Sequence, residues 1–174
     1  KRPCPHHQHQ RLWRTRADTV RARVLERGWS DKLGSFVDVY DGSGADASLL
    51  LLPEIGLVAY DDPRFLGTLA FLERRLRRGD FLARYDRADD FGAPTVAFNL
   101  CTFWYINALA GVGRMDEARQ LFESMLARCN HVGLLSEDID PGSGELWGNF
   151  PQTYSLVGIV NAAMRLSKPW ESAL

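Results

Sequence analysis

Apolar residues recur along this chain in six helical stretches, and the stretches are of two kinds. Three are amphipathic. In 12–28, Leu12, Val20, Val24 and Leu25 fall at helical spacing and Gly28 follows a basic last turn. In 63–78, Asp62 offers an N-cap, Pro63 suits the first turn, arginines lie near the end and Gly79 is placed to stop the helix. In 114–129, Ala118, Leu121, Phe122, Met125 and Leu126 make one stripe. The other three, near 47–57, 95–111 and 153–166, are apolar on most faces, which is the mark of a buried helix. The two kinds alternate, so an inner and an outer layer of helices is predicted. The fold class is all-α. Only "GSFVDVYD" alternates in a short strand-like way. Residues 131–150 carry little helical pattern, and a segment of that length without one is usually functional or disordered. Trp147 and Phe150 within it argue for order.

Composition narrows the classes. The 174 residues are 45% hydrophobic, enough for one domain with a real core. A net charge of -1 from 21 basic and 22 acidic side chains gives no electrostatic case for nucleic acid or an anionic membrane. The longest apolar run, "LLLLPEIGLVAY", is broken by Pro53 and Glu54 and is too short to span a bilayer. Three cysteines (Cys4, Cys101, Cys129) with no CxxC spacing point to a reduced, cytoplasmic protein. Residues 1–11 are poor in apolar side chains and are expected to be a disordered tail. His6, His7 and His9 lack a carboxylate or Cys frame, so no metal is assigned to them and no cofactor is expected.

The candidate chemistry lies in "GLLSEDIDPGSGELWGNFPQTYS", Gly133 to Ser155, with the acids Glu137, Asp138, Asp140 and Glu145. A calcium loop fails: with Asp138 at position one, Ser143 falls where Gly is needed and Asn149 where Glu is needed. There is no GxSxG, no triad histidine beyond His131, and no phosphate-binding glycine loop. A glycosidase carboxylate fits better, since sugar hydrolysis uses acids beside aromatic walls and amide donors. By composition alone that is only a suggestion, and the first reading of Asp-Pro-Gly-Ser-Gly is an ordinary solvated turn. Asp138 and Asp140 read as turn or cap residues, and Asp46 as a helix cap.

The stretches "DASLLLLPEIGL", "FNLCTFWYINALAGVGRMDEARQLFESML", "GLLSEDIDPGSGELWGNFPQTYS" and "LVGIVNAAMRLSKPWE" resemble, in this order, the catalytic domain of glycoside hydrolase family 15. Its members include glucoamylases and some bacterial trehalases. The resemblance implies an incomplete (α/α)6 toroid, with 12–174 supplying its C-terminal half. It implies that Glu137, the acid of "LLSE", is the general base of an inverting hydrolase. The substrate would be an α-glucan, a maltooligosaccharide or trehalose. No acid here matches the family's general acid, which sits in the earlier half. A chain that starts at Lys1 is therefore expected to be a fragment, inactive alone.

Half a toroid leaves inner helices bare, so self-association or binding of a complementary N-terminal half is expected. Trp147 and Tyr154 read equally as sugar contacts or core. Gln152 could bind a sugar hydroxyl or cap the last helix. Arg84 and Tyr85 could line the pocket rim or the outer surface. Trp104 and Cys101 read as core. A second reading is a tetratricopeptide-like interaction module, from "ALAGVGRMDEARQLFESMLA". The unit does not recur at about 34 residues, as such a solenoid requires.

Overall fold

The computed structural model describes residues 5–88, 90 and 92–167. Among these are five α-helices: α1 (Pro5–Arg27), α2 (Pro63–Leu76), α3 (Asn99–Gly111), α4 (Met115–Leu126) and α5 (Thr153–Leu166). A 3-10 turn, Ala47–Leu51, stands where a sixth helix was expected over 47–57. Pro53 is the reason it is short, because its ring and missing N–H cannot continue a helix. Gly56, at φ +70°, then turns the chain away. Asp46 caps the turn as predicted, accepting from Ser48 N at 2.8 Å. Asp62 caps α2 in the same way, accepting from Arg64 N at 2.9 Å, with Pro63 in the first turn.

The layers follow the predicted burial. Helix α3 is the central element and packs against α4, α5 and the 3-10 turn. It buries Cys101, Phe103, Tyr105, Ile106 and Leu109 almost completely. Helices α2 and α4 each bury one stripe: Phe65, Leu69, Leu72 and Leu76 on α2, and Ala118, Leu121 and Met125 on α4. Tyr105 ties α3 to the end of α2 at a polar junction. Its hydroxyl donates to Glu73 at 2.6 Å and accepts from Arg77 at 3.1 Å. Burial, then Glu73, push the phenol well above its usual range.

Three expectations are corrected. Helix α1 already includes residues 5–11, so that part of the expected tail is helical; Lys1–Cys4 and the side chains of His6, His7 and His9 lie outside what is described. Pro5 is tolerated there because a first-turn N–H has no helical acceptor. Of the α1 stripe, only Val24 and Leu25 pack on the core, while Leu12 and Val20 stand exposed. Helix α5 is not buried all round. It presses its small residues, Ser155, Gly158 and Ala162, against α3 and leaves Tyr154, Val157, Val160 and Met164 exposed. A Cβ at Gly158 would meet the Phe103 ring at 2.5 Å, so close approach of the two helices is what selects the small side. No helix among the described residues is long and apolar enough to cross a membrane.

Candidate active site

Between α4 and α5 the supposedly irregular segment forms a hairpin. Strands β6 (Asp138–Ile139) and β7 (Leu146–Trp147) pair antiparallel, and β6 also pairs with β5 (Ala97–Phe98) at the entrance to α3. Four two-residue strands precede them in the chain: β1 (Trp29–Ser30), β2 (Ser35–Phe36), β3 (Arg77–Arg78) and β4 (Phe81–Leu82). Asp140 makes the turn. Its carboxylate accepts from Gly142 N at 2.8 Å and Ser143 N at 2.7 Å, and these hold it below the usual carboxylate range. Asp-Pro-Gly-Ser-Gly is thus a turn, as its composition suggested.

Glu137 sits immediately before β6, and its backbone is pinned from several sides. Asn99 N donates to Glu137 O at 3.0 Å, and Glu137 N donates to Asn149 O at 2.9 Å. One residue earlier, Ser136 O accepts from buried Asn99 Nδ2 at 2.9 Å and from Ser155 Oγ at 2.7 Å. The first turns of α3 and α5 therefore hold the same peptide. The buried neighbours Leu135 and Ile139 anchor the segment in the core.

The Glu137 side chain is held by one oxygen. Its Oε2 accepts from Asn149 N at 3.2 Å and Asn149 Nδ2 at 2.8 Å. Among the described residues no donor reaches Oε1, so a proton can be accepted there from water. Gly148 makes the arrangement possible. It has φ +77°, and a Cβ there would lie 3.0 Å from Glu137 Oε2 and 3.1 Å from Asp138 Oδ2.

Glu137 opens onto a cleft of about 470 Å³ lined also by Arg84, Tyr85, Thr95, Phe98 and Asp138. Arg84 reaches the Asp46 carboxylate at 3.4 Å and lies 5.7 Å over the Trp104 ring. Tyr85 pairs by its backbone with Asp46. The structure thus brings Arg84 and Tyr85 to the same cleft as Glu137. It does not bring the other three candidates into the lining. Trp147 and Tyr154 are exposed, so the core reading of each is excluded. The Gln152 side chain accepts from Tyr154 N at 3.4 Å and caps α5.

Asp138 is the residue that sequence reasoning missed. It is no turn or cap residue but a strand residue facing the cleft, half-buried beside Glu137. Burial, then the Glu137 charge, push its carboxyl up to about 6. Its position next to the acid of "LLSE" was the available signal. Cys101 is core as expected, and burial pushes its thiol far up. Among the described residues no three of His, Cys, Asp and Glu are grouped to hold a metal ion.

Comparison with known proteins gives this geometry its context. A solved wild-type glycosidase superposes with a TM-score of 0.76 at 23% identity, over 95% of this chain and 46% of its own. The fold is therefore an incomplete (α/α)6 toroid of the glycosidase type, all-α apart from its short strands. The family profile "Glycosyl hydrolases family 15" matches residues 4–164, and the chain belongs to that family. Among its curated relatives is a trehalase of Thermoplasma volcanium, 39% identical over 90% of this chain and 25% of the relative. Another is a trehalase of Mycobacterium tuberculosis, 32% identical over 92% of this chain and 24% of the relative. The chain thus spans about a quarter of the length of these relatives. The tetratricopeptide-like alternative is not favoured beside this match.

Proposed function

We propose that this chain carries the general-base half of an inverting α-glucosidic hydrolase acting on trehalose. Glu137 is the base, and the observation that carries the reading is its carboxylate in the cleft lining, held through Oε2 by Asn149, with no donor on Oε1 among the described residues. Glu137 takes a proton from a water whose oxygen attacks the anomeric carbon. The bond from that carbon to the bridging oxygen breaks on the opposite face, and a carboxylic acid there protonates the leaving oxygen. That acid must stand about 6.5–9.5 Å away to leave room for the water.

Asp138, within about 6 Å of Glu137, is closer than that spacing, so on this reading the acid comes from the part of the fold that these residues do not span. On this reading the chain alone is inactive. Arg84 and Tyr85 line the sugar-binding wall, while Trp147, Gln152 and Tyr154 contribute to the rim once that part is in place. Trehalose is preferred to α-glucans and maltooligosaccharides because the relatives reported above are trehalases. A cytoplasmic setting belongs to the same proposal and is supported by the unpaired thiols of Cys101 and Cys129.

The exposed apolar face of α5 supports association with a complementary half, or self-association when that half is missing. The test joins this chain to the part of the Thermoplasma volcanium trehalase that its match does not span, and follows trehalose hydrolysis by proton NMR. Inversion at one of two α-linked carbons releases α- and β-glucose in equal amounts before mutarotation. Initial release of α-glucose alone, or no hydrolysis, would overturn the proposal.

A further inference from the structure

The half-buried acids of this molecule are almost all answered by a donor. Asp38 pairs with Arg87, Asp62 with Arg64 at 2.7 Å, Asp86 with Arg75 at 2.5 Å, and Glu117 with Arg114 at 2.5 Å. Glu137 has Asn149. Asp138 departs from this pattern. It is half-buried, it lines the cleft, and among the described residues its only charged influence is the like charge of Glu137.

Among the described residues of that lining the one cation is Arg84, which is turned to Asp46 and the Trp104 ring. Both carboxylates lie within about 3 Å of the space above Gly148, which only glycine leaves free. Their facing oxygens are therefore no more than about 6 Å apart. Nothing in the fold of the described residues uses the Asp138 carboxylate, and placing it there is costly.

We infer that Asp138 is a substrate-binding carboxylate that accepts hydrogen bonds from two neighbouring hydroxyls of the glucosyl unit. An ionised carboxylate only accepts, through two adjacent oxygens, and a sugar ring presents adjacent O–H donors at matching spacing. Sugar binding therefore supplies the donors that the protein withholds. Asp138 then orients the ring over the Oε1 side of Glu137, and it selects sugars that carry the paired hydroxyls. A site built to hydrogen-bond a hydroxyl strongly rejects the analogue that lacks it. The inference rests on the sugar-cleft reading above and names the group that does the selecting.

The test uses the chain as it is. Binding of methyl α-glucopyranoside and its four monodeoxy analogues is measured by NMR chemical-shift titration. The wild-type chain is compared with Asp138→Asn and, as a control, Glu26→Gln. Two neighbouring deoxy positions are expected to weaken binding to the wild type about tenfold each. Asp138→Asn should bind the parent glucoside at least about tenfold more weakly and no longer distinguish those two analogues. Glu26→Gln, an exposed change on α1 outside the cleft lining, should bind within about threefold of the wild type.

The analogue series in the wild type needs no substitution, so it stands even if a variant misfolds. Equal binding of all the analogues, or an Asp138→Asn chain that binds and discriminates like the wild type, overturns the inference and leaves the sugar-cleft reading intact. No glucoside binding by any form removes the sugar-cleft reading, and this inference with it.

Discussion

Replacing Asp138 by Asn should stabilise the protein, by a gain that grows between about pH 4 and about pH 6 and is level above that. The carboxyl is raised from 3.8 to about 6 in the folded state, chiefly by burial. In the unfolded chain it returns to its ordinary value. Between those two values the native state binds more protons than the unfolded state, so stability falls as pH rises through this window and is level above it. The full shift corresponds to about 3 kcal/mol. Asp138 is only half-buried, and solvent screening reduces that to about 1–2 kcal/mol.

Asparagine has nearly the same shape and no charge, and the wild-type side chain has no hydrogen-bond donor among the described residues to lose. The two proteins should therefore melt together at pH 4, and the variant should melt about 3–6 °C higher at pH 7. Thermal unfolding by circular dichroism, scanned from pH 4 to 8, measures this directly. An Asn variant that is less stable than the wild type at pH 7, or a difference that does not change with pH, would refute the reasoning. A gain in stability from removing a cleft residue is expected where a group is kept for its ligand.

Other outcomes follow from the same contacts. Ser155→Ala removes the 2.7 Å hydrogen bond to Ser136 O and should cost about 1–2 kcal/mol in urea unfolding, because that carbonyl is buried. Tyr105→Phe strips the hydroxyl that links Glu73 and Arg77 and should cost about 1–2 kcal/mol by the same assay. Gly148→Ala must adopt φ +77° and push on both carboxylates; it should cost about 1–2 kcal/mol and reduce trehalose turnover in the joined protein far more than that loss of stability explains.

Much of the layering was legible in the sequence because burial leaves a period. Helix α3 is apolar on most faces and is buried on most faces, while α2 and α4 show one stripe and bury one stripe. Caps were legible for the same local reason, as Asp46 and Asp62 show. Helix α5 was misread because hydrophobicity does not say which apolar face is covered. Its packing is decided by the small residues that let it approach Phe103, and its larger side chains face out.

In the candidate site, Glu137 is singled out by the resemblance alone. The clamp from Asn99 and Ser155 is not, since those residues lie 37 and 19 positions from Ser136 and meet it only in three dimensions. Asp138 was lost to composition. Four acids around Pro and Gly look like a turn, and only the pairing of β6 with its neighbours separates the turn residue Asp140 from the cleft residue Asp138.

The central claim is that Glu137 activates water, and one substitution addresses it. In the joined protein, Glu137→Gln keeps the side chain's size and an oxygen toward Asn149 but cannot take a proton. Initial rates of trehalose hydrolysis, measured by glucose release at saturating substrate, should fall roughly 10²–10⁴-fold in the variant. Turnover within about threefold of the parent would contradict the assignment of Glu137 as the base.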